Sequence, residues 1–151
     1  MTLHRFGAVS VSVVLLAGCG HDFEPPDAAE RIAEAAERYA VTLFDSVPWP
    51  NADVRLAEGN GVFAEKCRRC HGPLGRGGTD YALERGLEVP SLVEPAWVLA
   101  SLDSLRRTVY VGHEEGMPGY GIGGMSPREI DASAFYVLYQ LRPDVMRGQG
   151  R

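Results

Sequence analysis

A five-residue stretch, Cys67-Arg68-Arg69-Cys70-His71, constrains this chain more than any other feature. Two thiols three positions apart lie on neighbouring edges of one helical turn, and the histidine follows directly. The chain has 151 residues and one other cysteine, Cys19, so no second cysteine pair can complete a four-ligand set. The motif must therefore act mainly through two thiols and one imidazole.

The pattern C-x-x-C-H is the attachment signature of a c-type haem. At this spacing each thiol can add to one vinyl group of the same porphyrin, and the imidazole of His71 can bind the iron. A zinc site would need two more ligands at suitable spacing, and His113 is the only other histidine in the body of the chain. A redox-active dithiol would follow a strand, whereas the residues before Cys67 have a helical pattern. We therefore expect one covalently bound haem c.

The first 18 residues predict a bacterial export signal. Arg5 supplies the positive start, and the apolar run at 8–17 is shorter than the 20 or so residues that a transmembrane helix needs. The run ends in Leu-Ala-Gly before Cys19, which resembles the lipobox of bacterial lipoproteins. We expect Cys19 to carry the lipid and to anchor the protein on the periplasmic side of a bacterial membrane. The alternatives are a plain secretory signal with an unmodified thiol, or an uncleaved anchor.

The charge balance is acidic. Arg5 is the only charged residue among the first 18, which leaves 14 basic and 20 acidic residues, or a net charge of about −6. Lys66 is the single lysine. A chain of this charge argues against nucleic-acid binding. It favours redox protein partners that present basic docking residues.

The apolar periodicity predicts four helices and no strand of useful length. They cover residues 27–47, 51–70, 101–111 and 126–142, with glycine-rich loops at 72–95 and 112–125. The first carries an apolar stripe that we expect to pack on the rest of the protein, and Pro48-Trp49-Pro50 ends it. The predicted organisation is a signal peptide at 1–18, a tether and extra helix at 19–50, a haem domain at 51–142, and a tail at 143–151.

Several features occur in an order that resembles one family. Gly59 and Phe63 precede the haem motif, Pro90-Ser91-Leu92 follows it, and then come Gly116-Met117-Pro118-Gly119-Tyr120 and a capped final helix. Residues 51–142 thus resemble the class I cytochrome c domain of bacterial exported proteins. The resemblance implies an all-α fold in which the first and last helices cross at Gly59, against Tyr136 or, alternatively, Tyr139. It also implies that the carbonyl of Pro90 accepts the second ring N–H of His71.

The sixth iron ligand decides what such a haem can do. By the resemblance Met117 is expected to supply a thioether, which favours ferrous iron and raises the reduction potential. Met125 and His113 are the competing candidates. Met125 directly precedes the final helix and His113 lies in the same glycine-rich loop.

Coordination by both His71 and Met117 leaves the iron no open position. That favours a membrane-tethered electron carrier and disfavours an enzyme acting by itself. The alternatives are a haem-bearing subunit of a larger membrane redox complex, or a gas-binding sensor with a labile sixth ligand. The sequence does not assign a role to the helix at 27–47.

Overall fold

The computed structural model describes residues 27–94 and 101–148. Within these ranges the chain forms seven α-helices and no strand, which confirms the all-α expectation. None of the described helices is long and apolar enough to cross a bilayer. The predicted signal peptide and Cys19 lie outside the described residues. The helices are α1 (Ala28–Arg38), α2 (Ala52–Val62), α3 (Arg68–His71), α4 (Asp80–Leu83), α5 (Leu102–Val111), α6 (Pro127–Tyr136) and α7 (Arg142–Met146).

The extra N-terminal helix, α1, is shorter than predicted. It begins at a capping box, in which Oδ1 of Asp27 accepts a hydrogen bond of 2.8 Å from the backbone N–H of Glu30. It ends at Arg38, and after extended backbone a short 3-10 turn covers Val41–Phe44. On an unbroken helix, the side chains of Tyr39 and Phe44, five residues apart, would point about 140° away from each other. The break lets Tyr39 and Phe44 pack together, with ring centroids 6.2 Å apart. The single helix predicted over 27–47 was therefore wrong.

The helix predicted over 51–70 is present, with a feature that was not predicted. Asn51 caps α2, whose end continues through a π-helical turn at Phe63–Cys67 into α3. A π turn accommodates one more residue than an α turn and so changes the direction of the side chains that follow. Phe63 is buried in the core, whereas Cys67 beside it is only half-buried.

The first and last helices of the domain meet at Gly59. A Cβ at this position would overlap the backbone carbonyl of Ala132 in α6 and lie 2.7 Å from the Cβ of Tyr136. The rings of Phe63 and Tyr136 pack one helical turn further on, with centroids 5.7 Å apart. The predicted contact is confirmed with Tyr136 as its aromatic residue, since 54% of Tyr139 is exposed.

The final helix runs further than predicted. It starts at the capping box of Ser126, passes through a second π turn at Val137–Leu141, and continues as α7 to Met146. The predicted end near residue 142, and hence a tail from 143, was wrong. Pro143 lies at the second position of α7, directly after the π turn. The extension buries Val145 in the main core.

The N-terminal segment shares its core with the rest of the protein. Phe44 is buried beside Met125 and Ile130, and the ring of Tyr39 lies 5.5 Å from that of Tyr110 in α5. The expectation that this segment packs on the haem domain is confirmed. Its position against α5 matters for the site, because α5 leads directly into the methionine-containing loop.

Candidate functional site

The haem motif lies at the mouth of a pocket. Cys67, Cys70 and His71 all line this pocket, and both thiols are free. Behind it lies a second cavity of about 270 Å³. The two share six lining residues, so they are parts of one site: Cys67, His71, Pro90, His113, Glu115 and Met117.

The inner cavity is walled mainly by apolar side chains. They come from the π turns, from the loop after the haem motif, and from α5 and α6: Phe63, Leu92, Leu105, Val109, Ala134 and Val137. An apolar wall, two thiols, an imidazole and a thioether that line one pocket fit a covalently held haem.

The imidazole of His71 is suited to binding iron. Burial lowers its pKa, the backbone of Pro90 raises it, and nearby His113 lowers it further. The net lowering favours the neutral ring, which is the form that binds a metal. Nδ1 of His71 is buried and makes no hydrogen bond to a described residue. The backbone of Pro90 is nevertheless near enough to raise the pKa of the ring. Pro90 lines the same pocket as His71, and the hydrogen bond from the His71 ring to its carbonyl stays a prediction.

The chemistry of Cys67 argues against a redox-active dithiol. Burial, together with neighbouring Cys70, raises the pKa of the Cys67 thiol to about 12. Reactive thiols in dithiol oxidoreductases have lowered pKa values, because the thiolate is the nucleophile. Among residues 27–94 and 101–148, no three His, Cys, Asp or Glu side chains converge as a metal-ion site. The zinc alternative therefore finds no ligand set in this part of the protein.

The methionine loop is folded back onto the end of α5. The backbone N–H of His113 donates a hydrogen bond of 3.0 Å to the carbonyl of Met117, so the two residues pair across a tight turn. Gly112 makes this possible: its φ is +76°, and a Cβ there would lie 2.6 Å from the backbone nitrogen of Gly119. The turn holds Met117 and His113 side by side at the pocket.

The structure separates the three candidates for the sixth ligand into two groups. Met117 and His113 both line the pocket and the inner cavity. Met125 is 8% exposed, packs with Phe44 and Ile130, and lines neither. Nδ1 of His113 is buried without a hydrogen bond and lies 3.8 Å from Oε2 of Glu115. The geometry therefore favours Met117 or His113 over Met125.

Leu87 and Tyr120 are among the pocket residues that the sequence analysis did not assign to the site. Leu87, just after the short helix α4, also lines the outer pocket, because α4 and its following turn fold over the haem motif. Tyr120 lines the same pocket and its hydroxyl donates a hydrogen bond of 2.9 Å to the carbonyl of Lys66. The sequence gives one local indication that Tyr120 belongs to the site, which is its place three positions after Met117.

Residues 54–137 match the family described as cytochrome c oxidase, cbb3-type, subunit III. The match spans more than half of the 151 residues and runs from α2 to the start of the second π turn, so it includes both walls of the pocket. The chain belongs to this family. No solved structure matches the chain closely enough for comparison.

Membership in the cbb3-type subunit III family agrees with the geometry of the site. It makes the domain a cytochrome c domain with covalently bound haem, and the protein a haem-containing electron-transfer protein. The resemblance to cytochrome c, which rested on the spacing of a few motifs, is thus confirmed for the domain.

Proposed function

We propose that this protein is a mono-haem cytochrome c, exported and tethered to a bacterial membrane through lipid on Cys19, that passes single electrons between periplasmic or membrane redox partners. The observation that carries the proposal is the convergence of Cys67, Cys70, His71 and Met117 on one pocket. The sequence contains a single C-x-x-C-H motif, which supports one haem.

Each residue of the pocket has a distinct task in this proposal. Cys67 and Cys70 would hold the haem through thioether bonds, His71 and Met117 would bind its iron, and Pro90 would orient His71. The bound haem supplies one-electron chemistry between ferric and ferrous iron. The apolar wall excludes water from the site and keeps the His71 ring neutral. With His71 and Met117 both bound to the iron, no substrate could bind there, and electrons would enter and leave near the two thiols.

The rim of the pocket suggests the charge of a partner. Glu88 and Glu115 line the outer pocket together with Lys66, and Lys66 is paired with Glu65 at 2.7 Å. The side chain of Glu115 is 81% exposed. A partner with basic residues would meet these carboxylates and dock transiently through a small interface.

A second candidate is a haem-bearing subunit of a larger membrane redox complex. The description of the matched family, which names an oxidase subunit, favours it. The outer face of α1 favours it too, since Glu34, Glu37 and Arg38 are exposed and offer further contact area. Purification from native membranes in mild detergent would separate the two, because only a subunit would remain in stoichiometric association with other chains.

The proposal is tested on the full chain expressed with a c-type haem maturation system. Haem should stay on the protein in a denaturing gel, at one iron per chain, and the double variant C67S/C70S should lose it. Carbon monoxide should leave the spectrum of the reduced, unmutated protein almost unchanged. Ready binding of carbon monoxide would indicate an open site and hence a gas sensor or an enzyme, and would overturn the carrier function.

A further inference from the structure

The methionine loop is attached to the protein on two sides. On one side the backbone N–H groups of Tyr120 and Gly121 donate to the carbonyls of Val109 and Tyr110 in α5, at 3.1 and 3.0 Å. On the other side the hydroxyl of Tyr120 donates to the carbonyl of Lys66 at 2.9 Å. Among the described residues, this hydroxyl makes the only hydrogen bond between the loop and the haem-attachment segment.

The carbonyl that accepts this hydrogen bond belongs to the π turn that carries the first haem-binding cysteine. Lys66 directly precedes Cys67, and both belong to the π turn that leads into α3. Tyr120 lies three residues after Met117, and its own carbonyl accepts from the backbone N–H of Met125 at 3.0 Å. The phenol ring therefore spans the pocket mouth from the methionine loop to the residue before the first haem-binding thiol.

The hydroxyl is suited to remain a donor. Burial raises the pKa of Tyr120 to about 12, with a smaller contribution from the nearby thiols. The group therefore stays protonated at physiological pH, and a backbone carbonyl can only accept from it. The contact is a fixed positional link and does not change with pH in the physiological range.

We propose that Tyr120 is a positioning residue that holds the methionine loop against the haem-attachment segment and so keeps Met117 on the iron. The inference rests on the proposed ligation by Met117. Without the hydroxyl, the loop stays attached to α5 but loses its link to the other wall of the pocket, and the population with Met117 detached increases.

The test compares Tyr120→Phe with a matched control, Tyr110→Phe. Tyr110 lies on the α5 side of the same loop, and its hydroxyl makes no hydrogen bond to any residue in the described ranges 27–94 and 101–148. Imidazole is titrated into each ferric, haem-loaded protein, because it binds only when the sixth position opens. We expect Tyr120→Phe to bind imidazole about fivefold more tightly, which corresponds to about 1 kcal/mol for one hydrogen bond at 1.4 kcal/mol per tenfold. Tyr110→Phe should match the unmutated protein.

Two other sets of results would contradict either the positioning role of Tyr120 or the ligation by Met117 on which it rests. Equal imidazole affinity in all three proteins, or an equal increase in both variants, would overturn the role of Tyr120. Met117→Ala serves as a separate reference. If it binds imidazole no more tightly than the unmutated protein, ligation by Met117 is wrong and the inference loses its basis, whereas the proposed function fails only if the unmutated protein itself has an open sixth position. Far-ultraviolet circular dichroism of each variant checks that the helices are retained.

Discussion

The Cα of Gly59 in α2 lies directly against the backbone carbonyl of Ala132 in α6. This contact brings together the helix that leads into the haem motif and the helix that carries Ala134 and Val137 into the cavity wall. The site is thus built on a close approach of two backbones, which only a residue without a side chain permits.

Gly59→Ala should therefore destabilise the protein strongly. The added Cβ would overlap backbone that cannot move aside like a flexible side chain, so we expect a loss of about 3 kcal/mol in the free energy of unfolding. Gly61, in the same helix, has open space where its Cβ would be. Gly61→Ala should instead stabilise by up to about 1 kcal/mol through helix propensity. Denaturant unfolding of both variants measures this, and similar effects in the two would contradict the close contact.

Among the charged side chains of the described residues, we expect substitution of the buried Asp131 to lower the free energy of unfolding most. Only 1% of it is exposed, and it accepts hydrogen bonds from Trp49 at 2.6 Å, from Nε of Arg106 at 2.8 Å, and from Arg55. Asp131→Asn leaves Arg55 without its counter-charge and Arg106 with Asp103 as its remaining carboxylate partner, so we expect a loss of about 3 kcal/mol.

The matched control for Asp131 is the ion pair of Glu34 and Arg38 on α1, whose side chains are about half exposed. Glu34→Gln should change the free energy of unfolding by less than about 0.5 kcal/mol, as exposed helix pairs do. If Asp131→Asn were equally mild, this charge network would contribute little to stability.

The cap of the last helix should make stability depend on pH in acid. Hydrogen bonds from the side chain and backbone of Ser126 lower the pKa of Glu129 below its usual 4.5. A lowered folded-state pKa means that the cap stabilises fully above the unfolded-state value, and that this stabilisation is lost as the pH falls through the folded-state value. Glu129→Gln should therefore lower the melting temperature near neutral pH, and the difference from the unmutated protein should shrink below about pH 4.5. A difference independent of pH would contradict this.

Electron exchange with small charged reagents should report the charge of the pocket rim. Carboxylates of Glu88 and Glu115 attract a cationic oxidant, and dissolved ions screen that attraction. The rate with hexaammineruthenium(III) should fall as salt rises, and the variant E88Q/E115Q should show a weaker salt dependence. Glu34→Gln, outside the pocket lining, serves as the control. A rate independent of salt would sink the idea of a basic partner.

The parts of the fold that the sequence predicted depend on local signals. The haem motif, the capping box of Ser126 and the helix ending at Val111 are each specified by residues within one or two turns. The contact between Gly59 and Tyr136 was inferred from a family resemblance, because no local signal joins residues so far apart in the chain.

The parts that the sequence did not predict depend on distant partners. The break of α1 after Arg38 follows from packing of Tyr39 against Tyr110, and the two π turns lie where α2 and α6 line the cavity. Trp49 was interpreted as part of a domain boundary, yet its hydrogen bond reaches Asp131, 82 residues later. The same holds for the bond between Tyr120 and Lys66, which no spacing in the sequence indicates.

The assignment of the sixth ligand tests the account most directly. The absorption spectra of the unmutated protein, Met117→Ala, His113→Ala and Met125→Ala are recorded in the oxidised form, and again after reduction under carbon monoxide. We expect the weak sulfur-to-iron charge-transfer band at the red end of the spectrum in all proteins except Met117→Ala, and carbon monoxide binding in that variant alone. Loss of the sixth ligand in His113→Ala instead would contradict ligation by Met117, and an unmutated protein that binds carbon monoxide readily would contradict the electron-carrier function.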